Sequence, residues 1–177
     1  SHALKVMDEF GLDYAELQFV WDKEVGDHDA SEIAQIKELL DTHNKPVSCL
    51  SRHIFAGLTT ASKVGDKNHT RHMDYLKCVI EMAHQLNCPL VRIMTSKKEQ
   101  ILWGTNGAEH WNVAKGAWDT LPPLIAPAVD LARTEGVTLV VETGNGTMVN
   151  SNYTAVKLID VLDAKDVLKV LWDPCNS

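Results

Sequence analysis

Hydrophobic residues fall into two alternating patterns along this chain. Short runs rich in β-branched residues read as strands at Tyr14 to Val20, Pro46 to Ser51, Pro89 to Met94, Val137 to Glu142 and Leu168 to Asp173. Between them apolar positions recur with helical period, as at Ile33, Ile36, Leu39 and Leu40, and again at Leu76, Val79, Ile80 and Ala83. These stripes predict helices over about 31–43, 70–86, 108–135 and 153–163, after an opening helix at about 2–10. Pro122-Pro123 interrupts the longest segment, so a short helix through Trp118 and a second from about Leu124 to Glu135 are expected there. Punctuation supports the boundaries: Ser31 stands near a helix start, and Asn44, Asn87 and Gly136 stand at helix ends.

Strands that alternate with helices imply a parallel sheet covered by those helices. The expected fold class is α/β, a (β/α)8 TIM barrel represented by about five parallel strands. A complete barrel takes ~250 residues, and this chain has 177. Residues 1–177 are therefore expected to form a single barrel domain lacking the first strand and the last two βα units. The long loops 52–68 and 95–107 follow strand C-termini and are rich in Gly, Thr, Ser, Asn and Lys. Barrels elaborate function at that end, so both loops are expected to cover a site.

At 45% hydrophobic and 23% charged residues, the composition is that of an ordinary globular domain. No run approaches the ~18 apolar residues of a membrane span, and Ser1-His2-Ala3-Leu4 lacks the basic and apolar regions of a signal peptide. A cytoplasmic protein is expected, although a chain that opens inside an apparent helix leaves room for a removed leader. The net charge of -7, with both signs interspersed, disfavours nucleic acid as a partner. Cys49, Cys78, Cys88 and Cys175 show no CxxC spacing and read as free thiols, with Cys49 and Cys78 as small buried hydrophobes.

Acidic residues at the ends of two hydrophobic strands carry the main chemical signal. Alternation through Thr138-Leu139-Val140-Val141-Glu142 puts Glu142 on one face with Thr138 and Val140, and Lys169-Val170-Leu171-Trp172-Asp173 ends on a second carboxylate. Two carboxylates on neighbouring strands can share a divalent ion. Oxygen ligands suit Mg²⁺ or Mn²⁺, and an added imidazole admits Co²⁺ or Zn²⁺. Equally, each carboxylate can cap the segment that follows or pair with a nearby Lys or Arg.

His53 follows its strand on the same alternation as Cys49 and Ser51 and is a candidate substrate contact. Arg92 can hold a sugar hydroxyl or phosphate, but pairing with Glu16 or Glu142 inside the barrel is the favoured role. Trp103, in a loop that also holds His110 and Trp111, can stack on a sugar ring, while Trp111 and Trp118 can simply pack on the barrel wall. His28, His43, His69, His72 and His84 show no ligand spacing and are expected at the surface.

Val141-Glu142-Thr143-Gly144-Asn145, followed by Leu171-Trp172-Asp173-Pro174-Cys175-Asn176, resembles the fifth and sixth strand ends of the xylose-isomerase-like sugar phosphate isomerase/epimerase family. Tyr14-Ala15-Glu16-Leu17-Gln18 and Leu90-Val91-Arg92-Ile93-Met94 are similar to its second and fourth strands. The resemblance implies one metal ion, Mn²⁺ by preference, held by Glu, Asp, His and Glu from the fifth through eighth strands. Glu142 and Asp173 would be the first two ligands, and Glu142 also one member of an acid/base pair. Family members often carry a substrate-holding His three residues after the sixth-strand Asp. Asn176 stands there instead and cannot titrate.

The implied reaction is proton transfer beside a sugar carbonyl through an enediolate. A carbohydrate is the expected partner, with a second copy or a partner subunit also compatible. The rival readings are a C-glycoside-cleaving lyase subunit of the same superfamily and a metal-free barrel that binds a sugar or a protein. An endonuclease-IV type of hydrolase fits poorly with the acidic balance.

Overall fold

The computed structural model describes residues 2–99 and 113–176. Five parallel strands form one sheet: β1 (Ala15–Leu17), β4 (Val47–Leu50), β5 (Leu90–Ile93), β6 (Thr138–Glu142) and β7 (Leu168–Leu171). They lie side by side in chain order, as successive right-handed βα units require. The helices α1 (His2–Glu9), α2 (Ala30–Thr42), α3 (Lys67–Gln85), α4 (Ala117–Glu135) and α5 (Asn152–Val161) alternate with them. Packing follows sequence, with α3 against β5, α4 against β6 and α5 against β7.

Register explains the core. Leu50 pairs with Val91, Val91 with Leu139 and Val141 with Val170. Leu50, Val91, Leu139 and Val141 are fully buried under the helices. The intervening residues share the opposite face: Glu16 pairs with Cys49, Arg92 with Val140, and Glu142 with Leu171. Functional side chains thus gather on the face that the helices do not cover.

Four sequence expectations are corrected. The single strand expected from Tyr14 to Val20 is β1 followed by a separate hairpin, β2 (Phe19–Val20) and β3 (Lys23–Glu24). Its two turn residues, Trp21 and Asp22, both take positive φ, at 51° and 62°. A two-residue turn of that hand matches the twist of a hairpin.

The proline pair does not break α4, which starts at Ala117 and runs through Pro122, Pro123 and Pro127 to Glu135. Trp118, Leu121, Leu124, Ile125, Ala128, Val129 and Ala132 are all buried along it, and this burial outweighs the missing amide bonds. The start of α2 is set by Asp29 rather than Ser31. The Asp29 side chain accepts from the Ser31 and Glu32 amides, and Glu32 returns a bond to the Asp29 amide.

The remaining ends follow the punctuation. Asn44 and Asn87 take positive φ just after α2 and α3, and Gly136 does so at the C-cap of α4. The loop after β4 is more than a cover, because its Ile54, Phe55 and Leu58 are buried in the core. Cys78 is exposed, since it falls off the buried stripe of α3, whereas Cys49 is buried as expected.

Pro123 is exposed and far inside α4, where it only removes a bond to the preceding turn. Pro123→Ala is expected to raise stability by about 2 kcal/mol, the helix-interior penalty less the entropy that proline removes from the unfolded chain. Urea denaturation measures it, and an unchanged or lowered midpoint would contradict this account of α4.

Candidate functional site

The C-terminal ends of the five strands form one rim, and the loops that follow them are stitched together. The Met94 amide donates to the Ile54 carbonyl (2.8 Å), Met148 to Ser96 (2.9 Å) and Lys98 to Gly146 (2.9 Å). The Val149 amide donates to the buried Thr95 hydroxyl at 3.0 Å. Each loop borrows its neighbour's backbone partners, which gives the rim a fixed shape without a further strand.

Glu142 ends β6 on the uncovered face, with 13% of its side chain exposed. Arg92 on β5 meets it, with Nη1 at 2.7 Å from Oε2, while Nη2 donates to the Ser51 carbonyl after β4 at 2.8 Å. Of the two partners expected for Arg92, Glu16 and Glu142, the ion pair forms with Glu142. Glu16 joins the same region through Ser51, whose hydroxyl donates to it. Oε2 of Glu142 and Nε of Arg92 are both buried without a hydrogen-bond partner, so Oε2 meets the guanidinium as an ion pair alone. A buried carboxylate oxygen with a charge beside it but no hydrogen bond keeps a lone pair available.

Asp173 lies two residues beyond β7. Its amide donates to the Thr143 hydroxyl at 3.0 Å, which holds it beside the end of β6. Its Oδ1 accepts from the Cys175 amide (2.8 Å) and its Oδ2 from the Asn176 side chain (2.6 Å). Both partners belong to the short 3-10 turn Pro174–Asn176. Asn176 thus orients Asp173. The alternatives of a cap for Asp173 and an Arg partner for Glu142 are both realised.

His53 stands across the rim, with about half of its side chain exposed. Its partners, Glu24 from β3 and Gln18 from the end of β1, were not among the sequence candidates. Period-two alternation from Glu16 is a signal that could have found Gln18, whereas Glu24 depends on the hairpin. Trp103, His110 and Trp111 lie outside the described residues. Trp118 is buried as wall packing predicts, with Lys157 over its ring at 4.0 Å.

Three of the five remaining histidines are buried rather than at the surface. His28, His69 and His72 are each less than a tenth exposed. His69 Nε2 lies 2.9 Å from the Leu124 carbonyl, and His72 Nδ1 accepts from the Phe55 amide at 3.0 Å. Phe55 packs on both rings. These histidines satisfy backbone groups and hold the loop after β4 in place.

The family model that matches the chain, over residues 4–177, is described as xylose isomerase-like TIM barrel. No curated protein matches it by sequence. A xylose isomerase-like TIM barrel protein from Mycobacterium smegmatis, solved in complex with magnesium, is 20% identical with a TM-score of 0.67. The match covers 98% of this chain and 55% of that one. The IolI protein with a bound zinc atom is 17% identical, TM-score 0.66, covering 94% and 55%. A D-psicose 3-epimerase solved in the presence of D-fructose is 12% identical, TM-score 0.69, covering 97% and 57%. At these identities the likeness is one of fold. The chain spans little more than half the length of these relatives.

Burial lowers the His72 pKa, and Arg71, His69 and Arg52 act in the same direction. The folded protein then binds that proton more weakly than the unfolded chain, whose imidazole titrates near ~6.5. The stabilisation is complete above that value and is lost as pH falls through it toward the lowered folded value. The melting temperature should drop between pH 7.5 and 5.5. His72→Asn, which keeps an acceptor near Nδ1 but cannot charge, should flatten that drop; an equally steep dependence in the variant would exclude His72 as its source.

Proposed function

Since the chain belongs to the xylose isomerase-like TIM barrel family, we propose that it is part of a divalent-metal-dependent sugar isomerase or epimerase. The observation that carries this reading is the placement of Glu142 and Asp173 at the C-terminal ends of adjacent strands, with a buried Glu142 oxygen that no hydrogen bond uses.

Their donor chemistry fits a hard divalent ion, and Mn²⁺ is the assignment we favour over Mg²⁺, Co²⁺ and Zn²⁺. Two carboxylates make half of a coordination shell. Among the described residues no group of three or more ligating side chains occurs, so this reading requires further ligands from the rest of the barrel.

When bound, the ion would polarise a sugar carbonyl and acidify the adjacent C–H. The other roles fall to the chain's own side chains. Glu142 would take or return the proton, a role typically worth ~10²–10⁴-fold in rate. Arg92 would fix the angle of that carboxylate. Asn176 would hold Asp173 and face the substrate beside it, and His53 would meet a hydroxyl on the opposite side of the rim.

Arg92 also favours a second reading. Its guanidinium already supplies a positive charge to Glu142, so a metal-free barrel that binds a sugar or a partner needs no ion at this position.

Metal content and Mn²⁺ affinity of the protein separate the two. Stoichiometric metal in the wild type, lost in both Glu142→Gln and Asp173→Asn, is the expected result, together with metal-dependent exchange of a sugar C–H proton with solvent. Absence of metal from every form, or affinity untouched by both substitutions, would leave the binding barrel as the account of this site.

A further inference from the structure

Three elements converge on His53. Gln18 follows β1, Glu24 arrives on β3, and His53 itself follows β4. Glu24 Oε1 accepts the His53 backbone amide at 3.2 Å and lies 3.2 Å from His53 Nδ1. Its other oxygen is 3.4 Å from Nε of Arg52.

Arg52 is almost wholly buried and tightly held. Asp27 accepts from both Nη atoms, at 2.7 and 3.1 Å. The Val25 carbonyl accepts from Nη1 at 2.8 Å, and the guanidinium lies 4.0 Å from the centre of the Tyr75 ring. Glu24 is therefore set from both sides, by a fixed cation and by the backbone of the residue it faces.

The hairpin that delivers Glu24 is pinned as well. Its turn holds Trp21 and Asp22 at positive φ, uncommon for non-glycine residues, and the surrounding packing supports it. Those surroundings are specific. Val25 is fully buried, and His28 Nε2 lies 2.9 Å from the Val20 carbonyl. Gly26, at φ 91°, packs so closely on α3 that a Cβ there would lie 2.8 Å from Val79 Cγ2.

An ionised carboxylate can only accept hydrogen bonds, and the bond made by one imidazole nitrogen decides which of them carries the proton. Nδ1 facing Glu24 is then the N–H, and Nε2 is left as an acceptor. The Gln18 amide nitrogen lies 3.3 Å from Nδ1 and 3.4 Å from Nε2 and so does not choose between them; the Glu24 carboxylate does.

We infer that Glu24 is a positioning residue that holds His53 in the Nδ1–H form and presents Nε2 at the rim as the acceptor for a substrate hydroxyl. With 51% of its side chain exposed, His53 is accessible to such a group. The tautomer stands on this geometry alone. Its use on a sugar hydroxyl rests on the isomerase or epimerase reading.

The test is nitrogen-15 NMR of the His53 ring in the protein at pH 8, without metal or sugar, in the wild type, Glu24→Gln and Glu24→Ala. The wild type should show Nδ1–H, and Glu24→Gln should retain it because the amide oxygen can accept the same bond. In Glu24→Ala the Nε2–H form should become the majority species. A wild-type ring in the Nε2–H or doubly protonated form would overturn the proposal, and so would a tautomer ratio unchanged in Glu24→Ala. Failure here is distinct from failure of the metal assignment, which is read from metal content.

Discussion

The buried guanidinium of Arg92 ties the rim of the sheet together. One of its nitrogens binds the chain leaving β4 and another stands against the carboxylate that ends β6, so three consecutive strands share one cation. Desolvating a charge is costly, and the cost is recovered only where the partners are held in place. Here the parallel ladder holds them. Arg92 and Val140 are register partners, and Glu142 lies one pleat further along the same face.

Everything proposed for the site follows from that ladder. A parallel strand buried on one face by helices must send its alternate residues to the other, and these are the residues that meet a ligand at the strand ends. Leu139 and Val141 anchor β6 under α4, which fixes Glu142 on the uncovered face. The register of β7 against β6 then brings Asp173 beside it through the Thr143 hydroxyl. On the other side of the rim a second fixed cation, Arg52, sets the Glu24–His53 pair. Two buried arginines thus each hold a carboxylate, one facing a neighbouring strand and the other an imidazole.

Much of this was legible in the sequence, and the residues show where legibility stopped. Glu142 was placed by alternation within its own strand, and Arg92 was read as an ion-pair partner for Glu16 or Glu142, a choice that only the register of β5 against β6 makes. His69 and His72 were misplaced at the surface although they extend the buried stripe of Leu76, Val79, Ile80 and Ala83 at helical spacing. Their polarity masked the period, and their acceptable burial depends on backbone partners at Leu124 and Phe55, distant in the chain. The proline pair misled for the complementary reason. A local penalty of a few kcal/mol for each interior proline was outweighed by a helix face of which no local rule takes account.

Taken alone, the sequence determined the alternating order of strands and helices, the parallel sheet, most helix ends and the two strand-end carboxylates. These are encoded within a few residues of one another, in periodicity and capping. Only the tertiary structure decided that a hairpin follows β1, that Glu24 and Gln18 meet His53, and that Asn176 is turned toward Asp173. Such partners are chosen by register and by the packing of separate elements, and Glu24 reaches His53 only because a turn with positive φ is held down by Val25, Gly26 and His28. A composition or a period carries no trace of that constraint, since it arises where distant parts of the chain compete for the same space.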